Sequence, residues 1–130
     1  MNSAYVGSVR ATILVDSAGY PLYVFAPDHK QRVTCTGACA NIWPPLKLPA
    51  GAQPSAGAEV NPTLLGNDAD PQGGRVITYN GWPLYTYTTD LKLRLRSAVA
   101  NGQGLDLDGG YWYVILTDGD PIMHPLPPKS

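Results

Sequence analysis

Residues 19–28 read GYPLYVFAPD, and residues 81–90 repeat the pattern as GWPLYTYTTD. Five positions are identical between the two stretches, and two more hold an aromatic ring in both. A β-rich segment and a turn precede each stretch. The β-rich segment begins at residue 12 in the first half and at residue 75 in the second. The Asn80-Gly81 pair is a strong hairpin signal because both residues tolerate positive φ. The repeat therefore predicts that each half starts with a β-hairpin whose second strand carries the motif.

The composition excludes several classes of protein. The chain has 130 residues, of which 14 are Gly and 13 are Pro, about double the usual share, so long helices are excluded. The net charge is −1, which provides no field to attract nucleic acid. No apolar stretch approaches the roughly 20 residues of a transmembrane helix. We predict one all-β domain over residues 1–130, in which two pseudo-symmetric, hairpin-based repeats share one core and helices are short turns only.

The domain divides by composition into four segments. A Pro/Gly/Ala-rich stretch without periodicity separates the two motifs and predicts a linker. Within the Pro-rich tail, residues 121–123 are expected to pair back onto the preceding strand, and residues 125–130 are expected to be frayed. The segments are repeat one at about 10–48, the linker at about 49–74, repeat two at about 75–120 and the tail at 121–130.

The motif residues are interpreted as architectural. Tyr23 and Phe25 lie two apart and share one face of a strand, and Tyr85 and Tyr87 do the same. The acidic residues that end the two motifs fall where the strands should end and can accept backbone N–H groups there. These carboxylates, Asp28 and Asp90, could instead form a glycosidase pair. Their equivalent positions argue against this role, because a catalytic acid and base need different environments.

A family resemblance rests on these motifs and on several others. The pattern Y-x-[FWY]-x-x-D occurs twice, and residues 35–40 (CTGACA), 43–46 (WPPL), 101–104 (NGQG) and 110–114 (GYWYV) continue the likeness in order. Over about residues 10–119 the chain resembles the bacterial secreted-repeat lipoproteins, a family of unknown function. The resemblance implies export to the periplasm, the cell envelope or the extracellular space. The sequence has no lipobox cysteine, so the resemblance carries no claim of a lipid anchor, and its start shows no signal-peptide pattern.

Two cysteines and two histidines are the candidate redox and metal residues. Cys35 and Cys39 are spaced by one helical turn, which is within disulfide range, and in an exported protein we expect them to be bridged. The alternative is a metal-binding or redox module built from Cys35, Cys39 and His29, with His124 as a further ligand, which could hold Cu, Zn or heme. The expected cofactor is none, because the spacing of these residues matches neither a zinc site nor the heme attachment pattern.

Two further features suggest binding surfaces. Residues 91–96 (LKLRLR) alternate apolar and basic residues, which predicts a strand whose basic face carries Lys92, Arg94 and Arg96. These cations either protect a sheet edge or dock an anionic polymer or a partner subunit. The chain also holds aromatic rings that could stack on sugars; these are three tryptophans, Trp43, Trp82 and Trp112, and eight tyrosines. At residues 111–113 (YWY) both strand faces carry rings, so some rings should be exposed.

Together these observations predict a non-catalytic exported module. It would act by binding a protein partner or by assembling with copies of itself. The alternatives left open are the metal or redox module described above and, third, a carbohydrate-binding protein or a hydrolase.

Overall fold

The computed structural model describes residues 1–28, 32–57, 59–93 and 99–122. Within these ranges, strands dominate and every pairing between named strands is antiparallel, which confirms the all-β class. The two helices are short, and single 3-10 turns lie at Ala26–Asp28 and Pro62–Leu64. The elements in chain order are β1 Asn2–Val6, β2 Ala11–Val15, β3 Tyr23–Phe25, α1 Ala38–Ile42, β4 Lys47–Leu48, β5 Leu65–Ala69, β6 Arg75–Tyr79, β7 Trp82–Pro83, α2 Thr88–Leu93, β8 Asp106–Leu107 and β9 Gly110–Val114.

The predicted hairpins are present in both halves. The Leu22 N–H donates to the Leu14 carbonyl over 3.1 Å, and the Leu84 N–H donates to the Ile77 carbonyl over the same distance. Asn80 and Gly81 have φ values of 51° and 82°, as the Asn-Gly turn requires. Each hairpin gains a further strand from the residues before it, because β1 pairs with β2 and β5 pairs with β6.

The two halves exchange their last strands. The segment that leads into β4 belongs to the first half but joins the second: Lys47 pairs with Val76, and the Ile77 N–H donates to the Leu46 carbonyl over 2.8 Å. The segment that contains β9 belongs to the second half but joins the first, where it pairs with β3 and where the Leu14 N–H donates to the Ile115 carbonyl over 3.0 Å. Each half therefore completes the sheet of the other. The pseudo-symmetric arrangement stays a prediction, and these paired contacts support it.

Two sequence expectations need correction, and a third is confirmed. The segment predicted as a linker contains β5, whose residues LGNDA lack the apolar alternation of a strand and are held by their register with β6. The strand expected at residues 91–96 is wrong over 91–93, which close α2; Leu and Lys at this spacing suit a helix as well as a strand. The return pairing predicted for residues 121–123 is confirmed at its first two residues, since Pro121 bridges Ile115 and the buried Ile122 donates its N–H to the Val114 carbonyl.

The core consists of two clusters on opposite faces of the motif strands. Tyr23 and Phe25 face the first cluster, which holds most of the aromatic rings, whereas Leu22 and Val24 face the second, which is mainly aliphatic. This division follows the strand period of two that the motif predicts. The motif strands therefore lie between two buried layers, and only loops and outer strands reach solvent near them.

Candidate functional site

The two motifs complete each other through crossed hydrogen bonds. The Tyr23 hydroxyl donates to Asp90 Oδ2 over 2.5 Å, and the Tyr85 hydroxyl donates to Asp28 Oδ2 over 2.6 Å. The two tyrosine backbones also pair directly, with N–H to carbonyl distances of 2.8 and 3.0 Å. Each tyrosine therefore finds its carboxylate in the other half and not in its own motif.

The second oxygen of each carboxylate holds the start of a returning segment. Asp28 Oδ1 accepts the Thr34 N–H at 2.8 Å and the Thr34 hydroxyl at 2.5 Å. Asp90 Oδ1 accepts the Asn101 N–H at 3.1 Å and the Asn101 side-chain amide at 2.9 Å. The following residue in each segment then donates its N–H to the tyrosine oxygen, Cys35 to Tyr85 and Gly102 to Tyr23. The carboxylates thus accept backbone N–H groups as expected, but from residues farther along the chain than the next turn.

Burial determines the electrostatics of this network. Asp28 and Asp90 are both 0% exposed. Burial raises the pKa of Tyr23 far above its ordinary value, and the negative charge of Asp90 raises it further. Burial and the charge of Asp28 raise the pKa of Tyr85 in the same way. Both hydroxyls therefore remain protonated donors, and neither is positioned or tuned as a general base.

A four-ring stack fills the space between the halves. Trp43 lies between Trp112, at 3.9 Å between centroids and 3° between planes, and Tyr87, at 4.0 Å and 14°. Phe25 closes the other end against Trp112 at 4.2 Å. Tyr23 meets the stack edge-on at Trp43, with ring centroids 5.4 Å apart. The third positions of the two motifs, Phe25 and Tyr87, therefore cap a shared tryptophan pair.

This burial corrects one expectation for the tryptophans. Trp43 and Trp112 are both 0% exposed and Trp82 is 7% exposed, so none of them offers a face to a sugar. Gly102 marks how tightly the stack is enclosed, because a Cβ atom there would lie 2.6 Å from the Trp43 ring and 3.0 Å from the Tyr23 ring. A side chain at this position would displace the stack.

The cysteines form the expected disulfide, with Cα atoms 5.2 Å apart. Their sulfurs are bonded to each other and are not available as metal ligands in this state. Among the described residues, no group of three or more His, Cys, Asp or Glu side chains is placed to hold a metal ion. His29 and His124 lie outside the described residues.

The basic docking residues are only partly described. Lys92 is exposed in the last turn of α2. Arg94 and Arg96 lie outside the described residues, so a docking role for these three cations stays a prediction.

An open cleft of about 350 Å³ lies beside β9, and we call it the tyrosine cleft. Tyr111 and Tyr113 project into it with ring planes 13° apart and centroids separated by 6.1 Å. Tyr111 is 49% exposed, which is unusual for a ring of this size on a central strand. The sequence signal was the aromatic run at 111–113, which must place rings on both faces. The lining residues are Ser8, Val9, Ala100, Gln103, Gly104, Tyr111 and Tyr113.

Comparison with known proteins identifies one family likeness. Residues 10–47 match the model of a family described as a secreted repeat of unknown function, which confirms the predicted resemblance over that segment. No curated protein and no solved structure matches the chain. Within the described residues, no helix is both long and apolar enough to cross a membrane.

Proposed function

We propose, from the secreted-repeat match and the geometry above, that the protein is a non-catalytic exported module that binds a partner through the tyrosine cleft. The observation that carries the proposal is the pair of parallel tyrosine rings that line this cleft, one of them half exposed. Tyrosine combines a large apolar face with a polar tip, and for this reason it is enriched at binding surfaces.

The buried motif supports a non-catalytic role. A catalytic carboxylate must reach its substrate, but Asp28 and Asp90 are 0% exposed and hold backbone N–H groups and tyrosine hydroxyls. A catalytic acid and a catalytic base need different environments, but the carboxylates of the two motif copies make the same kinds of hydrogen bond. The motif thus supplies a rigid support for the surface above it.

The cleft is part of that rigid surface. Trp112 lies between the two cleft tyrosines in sequence, faces the opposite side of β9 and is locked in the tryptophan stack. The Ala100 N–H donates to the Ser8 hydroxyl at 3.1 Å, which ties one wall of the cleft to the turn between β1 and β2. A surface held in this way loses little conformational entropy when a partner binds.

The proposal is tested by co-sedimentation with the purified insoluble envelope fraction of the source organism, and by sedimentation velocity of the protein alone. We expect the wild type to bind the envelope fraction or to self-associate, and the variant Tyr111→Ala/Tyr113→Ala to lose that interaction. Tyr5→Ala is the matched control because Tyr5 is 64% exposed on β1 and does not line the cleft. The proposal is refuted if the wild type shows neither interaction, or if the cleft variant behaves like the Tyr5 variant.

A further inference from the structure

We infer that the tyrosine cleft binds an uncharged saccharide chain whose sugar rings pack on Tyr111 and Tyr113. The inference rests on the proposed function and names the chemical class of the partner. It depends on three properties of the described cleft residues, namely their charge, their free hydroxyl groups and the pairing of the strand that carries them.

The described residues that line the cleft are uncharged. The described residues that line it include no Asp, Glu, Lys or Arg; they supply aromatic faces, a hydroxyl, an amide and small apolar groups. Phosphate-rich ligands need cations, and anionic or cationic peptides need opposite charges. A neutral sugar instead presents C–H faces to aromatic rings and hydroxyl groups to polar tips, which is the chemistry that this lining offers.

The tyrosines of the cleft offer an aromatic face and hydroxyl groups to a ligand. Tyr111 is 49% exposed, so a sugar ring can pack on its open face beside the nearly parallel ring of Tyr113. Neither the Tyr111 nor the Tyr113 hydroxyl has a hydrogen-bond partner in the described part of the chain. Each phenol can therefore donate to a sugar oxygen or accept from a sugar hydroxyl without breaking an internal bond.

The strand itself does not favour a peptide partner. A peptide that adds to a sheet needs a free strand edge, but β9 is bonded on both sides. On one side it pairs with β3, and on the other the Gly104 N–H donates to the Trp112 carbonyl at 2.7 Å while the Trp112 N–H donates to the Leu105 carbonyl at 2.9 Å. Recognition must therefore use side-chain faces, which again favours ring stacking.

Nuclear magnetic resonance titration of the whole protein tests the inference, with cellohexaose, maltohexaose and N-acetylchitohexaose as the probes. We expect at least one probe to shift the ring signals of Tyr111 and Tyr113. We expect Tyr111→Ala to weaken that binding at least tenfold, equal to about 1.4 kcal/mol. Tyr111→Phe, which keeps the ring face, should bind within about threefold of wild type, and Tyr5→Ala should bind like wild type. Failure of all three probes at about 10 mM, or unchanged binding by Tyr111→Ala/Tyr113→Ala, overturns the inference.

A second arm separates this inference from the proposed function. The co-sedimentation is repeated in the presence of an excess of the hexasaccharide that shifts the tyrosine ring signals. Loss of envelope binding is the expected result. Envelope binding that depends on Tyr111 and Tyr113 but is not displaced by the hexasaccharide leaves the proposed function standing and overturns the saccharide inference.

Discussion

Removal of one buried hydroxyl tests how the two motifs are joined. Tyr23→Phe keeps the ring but removes the donor to Asp90 Oδ2 and the acceptor for the Gly102 N–H. A buried polar group left without its partner costs about 1–3 kcal/mol, and bonds to charged groups lie at the upper end of that range. We therefore expect the free energy of unfolding in urea to fall by about 2–4 kcal/mol. Tyr113→Phe, which removes a hydroxyl that has no hydrogen-bond partner among the described residues, should change it by less than about 0.5 kcal/mol.

Double-mutant cycles show which carboxylate the hydroxyl needs. The crossed geometry predicts that Tyr23→Phe and Asp90→Asn couple by about 1–2 kcal/mol, because the two groups share one hydrogen bond. Tyr23→Phe and Asp28→Asn belong to one motif but share no bond, so their effects should add within about 0.5 kcal/mol. Stronger coupling inside the motif than across the halves would refute the reasoning, as would a Tyr23→Phe variant as stable as Tyr113→Phe.

Other perturbations should act as follows. Folding raises the pKa of Tyr23 and of Tyr85. The stability that these groups contribute is therefore complete below the ordinary tyrosine pKa of about 10 and is lost as the pH rises further. In an alkaline titration, both tyrosines should ionise only when the protein unfolds, which is seen as a late phenolate absorbance step that coincides with unfolding. The Cys35–Cys39 bond closes only a small loop and therefore restricts the unfolded chain only slightly. Its reduction should lower the melting temperature by roughly 5–10 °C in differential scanning calorimetry, with the fold retained. Because the halves exchange strands, separate fragments 1–51 and 52–130 should be unfolded by circular dichroism and should fold when mixed; a folded single fragment would contradict the exchange. The oxidised protein should contain no stoichiometric Cu, Zn or heme by elemental and absorbance analysis, and no thiol reactive with Ellman's reagent; metal at one equivalent would restore the metal-module alternative.

Local features of the fold could be read from the sequence because they depend on local chemistry. The Asn80-Gly81 pair specifies a turn by its tolerance of positive φ, and both residues adopt it. The spacing of Tyr23 and Phe25 specifies a shared face by the period of a strand, and both lie in one core cluster. The spacing of Cys35 and Cys39 allows a bridge by distance alone, and the bridge is present.

The long-range partners could not be read in the same way. The motif contains its own Tyr and Asp, so nothing local shows that Tyr23 bonds Asp90 and not Asp28. The contact between Trp43 and Trp112 joins residues from two unlike contexts, WPP and YWY, and depends on the strand exchange. The helix α2 was missed for a different reason: the first turn is fixed by the buried Asp90, whose partner Asn101 lies eleven residues on.

The strand exchange also bears on what a single repeat can be. The segment that matches the secreted-repeat family, residues 10–47, contains Asp28 and Trp43 but not the residues that complete them. Asp28 receives its tyrosine hydroxyl from Tyr85, and Trp43 stacks on Trp112, both in the other half. Taken alone, the segment would leave a buried carboxylate short of one donor and an aromatic face without cover, and each loss costs on the order of 1–3 kcal/mol. The two losses together amount to about 2–6 kcal/mol, a large share of the roughly 5–15 kcal/mol that stabilises a domain, so we expect the pair of repeats and not the single one to be the stable unit. In this chain the linker supplies the second repeat covalently, and the same contacts could be completed only by another copy that offers Tyr85 and Trp112 in the same register.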